Sequence, residues 1–340
     1  MAPLRAVALA TLAAAMLAGP ALAQSSQPET PSGISFADLP GWAQENHAAA
    51  FAAFREICGV ATDAGMARAC RAARAAGPLR SAEARRFFEA NFRIDPAVGS
   101  GTLTAYFAPE YDARRVPDAE FSAPVRPKPA GLAPGAAYPD RTAIETSPVA
   151  DALAWMRPEE LFLLQVQGSG LLRFPDGQRL KALYAATNGR PYLAIGGPMH
   201  AQGLLPGEVS AGSIRAWLAS HRGPQAEAVM RLNPRYSFFR LAPDDSRPPA
   251  GSARAPLPAG RALAIDLAFH PMGELLWIEA DRPVLPGAKA AYRRLAVALD
   301  TGSAIKGPVR ADLYLGQGQA AGDEAGRVHH RLRLYRLSPK

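Results

Sequence analysis

Cysteine is nearly absent from this chain, and its scarcity removes several readings at once. Only Cys58 and Cys70 occur in 340 residues. Two thiols without clustered histidines make no zinc site, and the six histidines are scattered, so no metal and no cofactor is expected. Long apolar runs are missing after the first residues, so no transmembrane segment is expected. Dense basic runs are missing too. The formal net charge is +8, but its residues form no nucleic-acid motif, so nucleic acid is not expected as a partner. A basic balance suits acidic polymers or lipid headgroups instead.

The N-terminus carries the three parts of a secretory signal: basic Arg5, an apolar stretch over residues 6–18, and Ala21-Leu22-Ala23 before Gln24. Residues 1–23 are read as a cleaved signal peptide. No cysteine stands near that site, which excludes a lipidated mature N-terminus and implies a soluble exported product. In an oxidising compartment Cys58 and Cys70 can pair, for a gain of roughly 3 kcal/mol. The sequence leaves open whether they do.

Residues 42–92 have helical composition, with a stripe at Phe51, Phe54 and Ile57 and a second around Phe87-Phe88. Alternation predicts a strand over 102–107. Two proline-rich stretches, 109–139 and 243–258, bracket a central block. There, residues 161–167 read as a strand, 171–184 as a hairpin with an Asp-Gly turn, and 213–220 as a short helix. Further strands are expected at 263–267, 275–279, 295–299, 312–315 and 331–337. The pattern predicts a mainly β protein, helical at its start, with two β domains.

Two aspartates stand out. Asp300 follows an apolar strand and opens Asp300-Thr301-Gly302-Ser303. Asp312 alternates with leucines, so Asp312 and Tyr314 share one strand face and Leu313 and Leu315 the other. An acid held on a strand with an apolar reverse face is rigid and easily shifted in pKa. For Asp300 the plainer reading is that it accepts hydrogen bonds from turn amides; for Asp312 spacing alone does not decide. Asp-Thr-Gly also marks aspartic proteases, but that chemistry needs two such motifs and this chain has one. Gly316-Gln317-Gly318-Gln319-Ala320-Ala321-Gly322 lies among strands with its last glycine one position late, so an exposed glycine loop is expected rather than a dinucleotide site. Gln167-Gly168-Ser169-Gly170 lacks the start of a nucleophile elbow, which makes Ser169 a turn or substrate contact. Gln165, Gln167, Ser169, Tyr184, Asn188 and Tyr192 offer neutral hydrogen-bonding and stacking groups that suit a sugar polymer.

Seven segments in series carry a resemblance. They are the stretch over 299–316 that holds Asp300 and Asp312, Thr104-Ala105-Tyr106-Phe107-Ala108-Pro109-Glu110, Tyr138-Pro139-Asp140-Arg141-Thr142-Ala143-Ile144-Glu145 and Gln165-Val166-Gln167-Gly168-Ser169-Gly170. The others are Tyr184-Ala185-Ala186-Thr187-Asn188-Gly189-Arg190-Pro191-Tyr192, Asn233-Pro234-Arg235-Tyr236-Ser237-Phe238-Phe239 and Gly260-Arg261-Ala262-Leu263-Ala264-Ile265-Asp266. Together they resemble the family of membrane-bound lytic murein transglycosylase A, MltA. The resemblance implies a double-psi β-barrel domain, from residues 24–107 and 245–340, with a second β domain inserted at 108–244 and the glycan in the groove between them. It implies Asp312 as the catalytic residue. Asp300, Thr104, Tyr106, Gln167, Gly168, Ser169, Tyr184, Asn188 and Lys306 are expected to bind substrate or support the site. Ala105, Leu299, Ser303 and Ala311 depart from the family's usual residues.

The activity so implied is non-hydrolytic cleavage of the β-1,4 bond between N-acetylmuramic acid and N-acetylglucosamine in peptidoglycan, in the periplasm, by an exotransglycosylase of the carbon–oxygen lyase class. Peptidoglycan strands are the expected partner, with wall-synthesis or division proteins as further candidates. The protein would be soluble, or peripherally attached to the wall or outer membrane. Rival readings are an inverting glycan hydrolase using both aspartates, an expansin-like wall-binding module and, below these, the aspartic protease.

Overall fold

Apolar side chains recurring at helical spacing build three helices: α1 (His47–Ile57), α2 (Ala64–Ala76) and α3 (Ser81–Asn91). The computed structural model describes residues 34–97, 99–133, 135–207, 209–281 and 287–340. The expected signal peptide, residues 1–23, lies outside them. Asn46 and Asp63 cap α1 and α2, accepting from the amides of Ala49 and Met66. Phe51, Phe54, Phe88 and Phe92 are buried together between the helices and the strands that follow. Cys58 and Cys70 are disulfide-bonded, joining the end of α1 to α2 across a Cα separation of 5.3 Å.

After α3 come β1 (Phe92–Asp95) and β2 (Gly101–Ala108). The central stretch holds β3 (Glu110–Asp112), β4 (Ala123–Val125), α4 (Arg141–Thr146), β5 (Ala154–Met156) and α5 (Pro158–Gln167). It continues through β6 (Ser169–Arg173), β7 (Arg179–Thr187), α6 (Gly196–Ala201), α7 (Ala211–Ser220), α8 (Pro224–Met230) and β8 (Ser237–Pro243). Last come β9 (Ala262–Ile265), β10 (Leu275–Asp281), β11 (Ala291–Thr301), β12 (Arg310–Gln317), α9 (Gly318–Ala325) and β13 (His329–Pro339).

Six strands close a barrel in the order β13-β10-β11-β9-β12-β2, with β2 returning to pair with β13. The β9–β11 and β2–β12 pairs are parallel. Leu103, Leu263, Leu276, Ala298, Leu313 and Leu332 meet inside it. The alternate residues Leu275, Trp277, Leu295, Val297 and Leu299 face outward into the cluster shared with the helices. Both faces are therefore buried over 275–278 of β10 and 295–299 of β11, which is why those stretches read as unbroken apolar runs. The Trp42 and Trp277 rings meet edge-on with centroids 5.3 Å apart. Glu45 locks the helical block to the barrel, pairing with Arg261 at 2.9 Å and accepting from the Leu295 amide at 2.6 Å. Beyond the barrel lie a four-stranded sheet in the order β3-β6-β7-β8 and a β4–β5 pair. The expected hairpin is there, turning at Gly177 with a φ of 81°.

Two expectations are corrected. Residues 161–167 form α5, not a strand. An apolar run of this length fits a buried helix as well as a buried strand. The deciding signals flank it: Pro158 at the first turn, Glu159 and Glu160 beside the helix N-terminus, and Gly168 at a φ of 83° ending it. The glycine segment after β12 is not an exposed loop either, because α9 begins at Gly318. Gly322 packs close to β2: a Cβ on it would stand 2.6 Å from Cζ of Phe107, so the ring would have to shift.

Candidate active site

The parallel register of β2 and β12 sets Thr104 opposite Asp312 and Tyr106 opposite Tyr314. With Ala311 and Leu313 turned into the barrel, these four side chains share its outer face, as the alternation predicts. Thr104 Oγ1 donates to Asp312 Oδ1 at 2.6 Å. Burial pushes the Asp312 carboxyl above the ordinary aspartate value. The Thr104 hydroxyl and the Arg310 charge oppose that shift, and Asp300 adds to it.

Asp300 lies at a bulge in the β11–β9 pairing and is filled by hydrogen bonds. Its Oδ1 accepts from the Ser252 amide at 2.9 Å, the Ser252 hydroxyl at 2.7 Å and the Thr301 amide at 2.9 Å. Its Oδ2 accepts from the Tyr106 hydroxyl at 2.8 Å. Burial, then the Asp300 charge, holds the Tyr106 phenol well above its usual pKa, so it stays a donor.

A cleft of about 240 Å³ opens over this face. Thr104, Tyr106, Asp300, Arg310, Asp312 and the 301–305 turn form its barrel side, and Val166, Gln167 and Tyr192 its other side. Gln167 Oε1 is buried without a partner among the described residues. Gly168 caps α5 and Ser169 opens β6, and neither lines the cleft. Tyr184 is half exposed on β7, outside it. Asn188 is fully buried away from the cleft and supports the second sheet. Its side chain donates to the carbonyls of Pro139 and Pro234 and accepts from the Tyr236 amide. Lys306 is exposed, 3.8 Å from Asp266, and does not line the cleft. Among the described residues, no group of three or more His, Cys, Asp or Glu could hold a metal.

Of the residues that depart from the family pattern, Ala105, Leu299, Ser303 and Ala311, none sits at a positive φ, so none needs the conformational freedom of glycine. Two site residues escape a reading of the sequence. Arg310 carries a signal, standing two positions before Asp312 on the same strand face. Ser252 carries none, since only the fold brings it to Asp300 from 48 residues away.

The fold and site define a class of β-barrel proteins with a desolvated aspartate on the floor of an open cleft. Residues 102–240 match the family profile described as the MltA specific insert domain, and residues 261–338 match the 3D domain. Membrane-bound lytic murein transglycosylase A of Vibrio cholerae is 32% identical over 248 residues, covering 70% of this chain and 66% of that protein's length. The crystal structure of a membrane-bound lytic murein transglycosylase from Agrobacterium tumefaciens superimposes with a TM-score of 0.76 at 32% identity, covering 90% of this chain and 97% of that one. Escherichia coli MltA with bound chitohexaose gives 0.70 at 26% identity, covering 86% and 90%. The chain belongs to the MltA family of lytic murein transglycosylases.

Proposed function

We propose that this protein is a lytic transglycosylase that cleaves the β-1,4 bond between N-acetylmuramic acid and N-acetylglucosamine in peptidoglycan without adding water. In this reading the six-stranded barrel is of the double-psi type, formed by residues 24–107 and 245–340. Residues 108–244 are the inserted domain, and the glycan lies between the two. Residues 1–23 direct export to the periplasm.

Asp312, whose burial favours the protonated form, gives its proton to the glycosidic oxygen as positive charge develops at the sugar C1. The carboxylate left behind then takes the proton from the muramoyl C6 hydroxyl. That oxygen attacks C1 and closes the 1,6-anhydro ring, so the leaving sugar gains one proton and the new ring oxygen loses one. A single carboxyl serves as acid and then base. Thr104, Tyr106, Gln167 and Tyr192 line the path of the glycan, and its apolar ring faces and hydroxyl edges match such groups.

The observation that carries this reading is the contrast between the two aspartates. Among the described residues, Asp312 is desolvated and holds one hydrogen bond, whereas Asp300 accepts four. An inverting hydrolase needs a second carboxylate free to activate water, and Asp300 is already engaged. Incubation with purified sacculi, followed by mass analysis of soluble muropeptides, tests it. Products one water lighter than hydrolysed ones support the proposal. Hydrolysed sugars, or binding with no release, overturn it in favour of the hydrolase or the wall-binding module.

A further inference from the structure

Among the described residues, Arg310 is the one cation lining the cleft, and it has no carboxylate within ion-pair distance. Its Nη1 donates to the carbonyls of Ala311 at 2.6 Å and Thr102 at 3.4 Å. These two bonds fix the plane of the guanidinium. Its Nη2 donates to Thr104 Oγ1 at 2.9 Å, the same oxygen that lies 2.6 Å from Asp312 Oδ1.

A guanidinium has donors only, and a threonine hydroxyl has a single hydrogen. With Arg310 donating into Thr104 Oγ1, that hydrogen is left free to point elsewhere, and Asp312 Oδ1 is the acceptor in reach. Oδ1 is thereby an acceptor in both protonation states, so the acid's proton sits on Oδ2. Oδ2 takes no hydrogen bond from the described residues. Resting on Asp312 as the acid, we propose that Arg310 is a positioning residue, which orients the Thr104 hydroxyl and so keeps the transferable proton of Asp312 on the oxygen that faces the substrate.

The spacing has a second consequence. A direct Arg–Asp pair would favour the carboxylate and leave no acid. One intervening hydroxyl weakens that effect and lets burial dominate at rest. After proton transfer the same chain polarises toward the new carboxylate, since a donor that is itself accepting from a cation is a stronger donor. The arrangement withholds the full charge from the acid and lends part of it to the conjugate base.

The test is a cycle between Arg310→Lys and Thr104→Val, read in two ways. The first is release of 1,6-anhydro muropeptides from sacculi across pH, and the second is NMR titration of the Asp312 carboxyl carbon. Lysine keeps the charge but replaces the planar fork, whose two nitrogens reach the backbone carbonyls and Thr104 separately, with one nitrogen. With Thr104 present, Arg310→Lys is expected to slow release about ten- to a hundredfold, the range of one charge-assisted hydrogen bond. In the Thr104→Val background, with no hydroxyl left to orient, the same substitution is expected to add little. Arg310→Gln, which also removes the charge, is expected to move the Asp312 titration and the alkaline limb of the rate profile to higher pH.

Full additivity of the two losses, or an Arg310→Gln titration identical to the wild type, overturns the proposal and leaves Arg310 a strand-bracing residue. Should Arg310→Gln not fold, the lysine cycle decides alone. A wild-type protein that releases nothing from sacculi sinks the function proposed above, while the NMR comparison still decides the role of Arg310.

Discussion

The Tyr106 hydroxyl donates to Asp300 Oδ2 at 2.8 Å, joining β2 to β11, two strands that are not neighbours in the barrel. The bond crosses the cleft floor beside Asp312 and ends on a carboxylate with three other donors. Tyr106→Phe leaves that lone pair unmet in a buried place. The expected loss is about 1.5–3 kcal/mol of stability, the usual range for a hydrogen bond to a charged group. Thermal melting measures it, and an unchanged melting temperature contradicts the bridging role. Release from sacculi should fall as well, because the cleft floor loosens.

Asp312→Asn removes the acid and keeps the shape. Muropeptide release is expected to vanish, while glycan binding and the fold persist. Its effect on stability has a definite sign. The folded carboxyl titrates above its unfolded value, so the native state holds the proton longer and the wild type loses stability as pH rises across that interval. The wild type should therefore melt below Asp312→Asn at neutral pH, and the gap should close in acid. A gap that widens in acid refutes the assignment of Asp312 as the destabilising buried group.

His270 adds a second pH dependence, set by a cation rather than an acid. Its Nδ1 lies 2.7 Å from Glu274 Oε2 and its Nε2 lies 2.8 Å from the Pro308 carbonyl, so both ring nitrogens face acceptors. Burial opposes the charged form, but Glu274 and the Pro308 carbonyl outweigh burial and the nearby Arg336, and the pKa is raised. The stability this gives is fully present below the unfolded value and is lost as pH rises through the folded one. His270→Gln should erase that component of the pH–melting curve. Because Pro308 precedes Arg310, the variant should also slow release at acidic pH more than at alkaline pH.

Glu45→Gln addresses the joint between the helical block and the barrel. It breaks a buried pair with Arg261 and weakens the acceptor for the Leu295 amide. Removing one partner of such a pair costs about 3–5 kcal/mol. Denaturant unfolding should show that loss, and activity at low temperature should be kept. A loss under about 1 kcal/mol would place the joint in the Trp42–Trp277 contact instead.

Reduction of the Cys58–Cys70 bond should lower stability by roughly 3 kcal/mol. The bonded pair is separated by 12 residues and belongs to the helices rather than the cleft. Release per folded molecule should therefore be unchanged. Melting with and without reductant, beside a sacculus assay, checks both statements.

Much of the fold is legible because the barrel strands carry their signals locally. Alternation around Asp312 places its neighbours on the correct faces, and the unbroken run over 295–299 marks a strand buried on both sides. The run over 161–167 misleads because its composition suits either element, and what separates them is Pro158 and Gly168 at its ends. Gly322 misleads because its reason, the Phe107 ring, is distant in sequence. The site is half legible. Asp300 and Asp312 stand out in one segment, and Thr104 and Tyr106 enter only through the family resemblance, but Asn188 supports the second sheet and Lys306 faces solvent. The partners that separate the two aspartates, Ser252 among them, are tertiary and leave no local trace.

One short link sets how the cleft behaves under load. β2 ends at Ala108 and β3 begins at Glu110, with only Pro109 between, and the Pro109 carbonyl already accepts from Leu171 of β6 at 2.8 Å. Proline fixes its own φ, so this joint has little slack. The two walls are thus anchored on one continuous, nearly inextensible piece of chain. A pull on the second sheet along this link would reach Tyr106 and Thr104 on β2. On the function proposed above, the strand that holds Thr104, the hydroxyl partner of Asp312, would also transmit tension from the substrate.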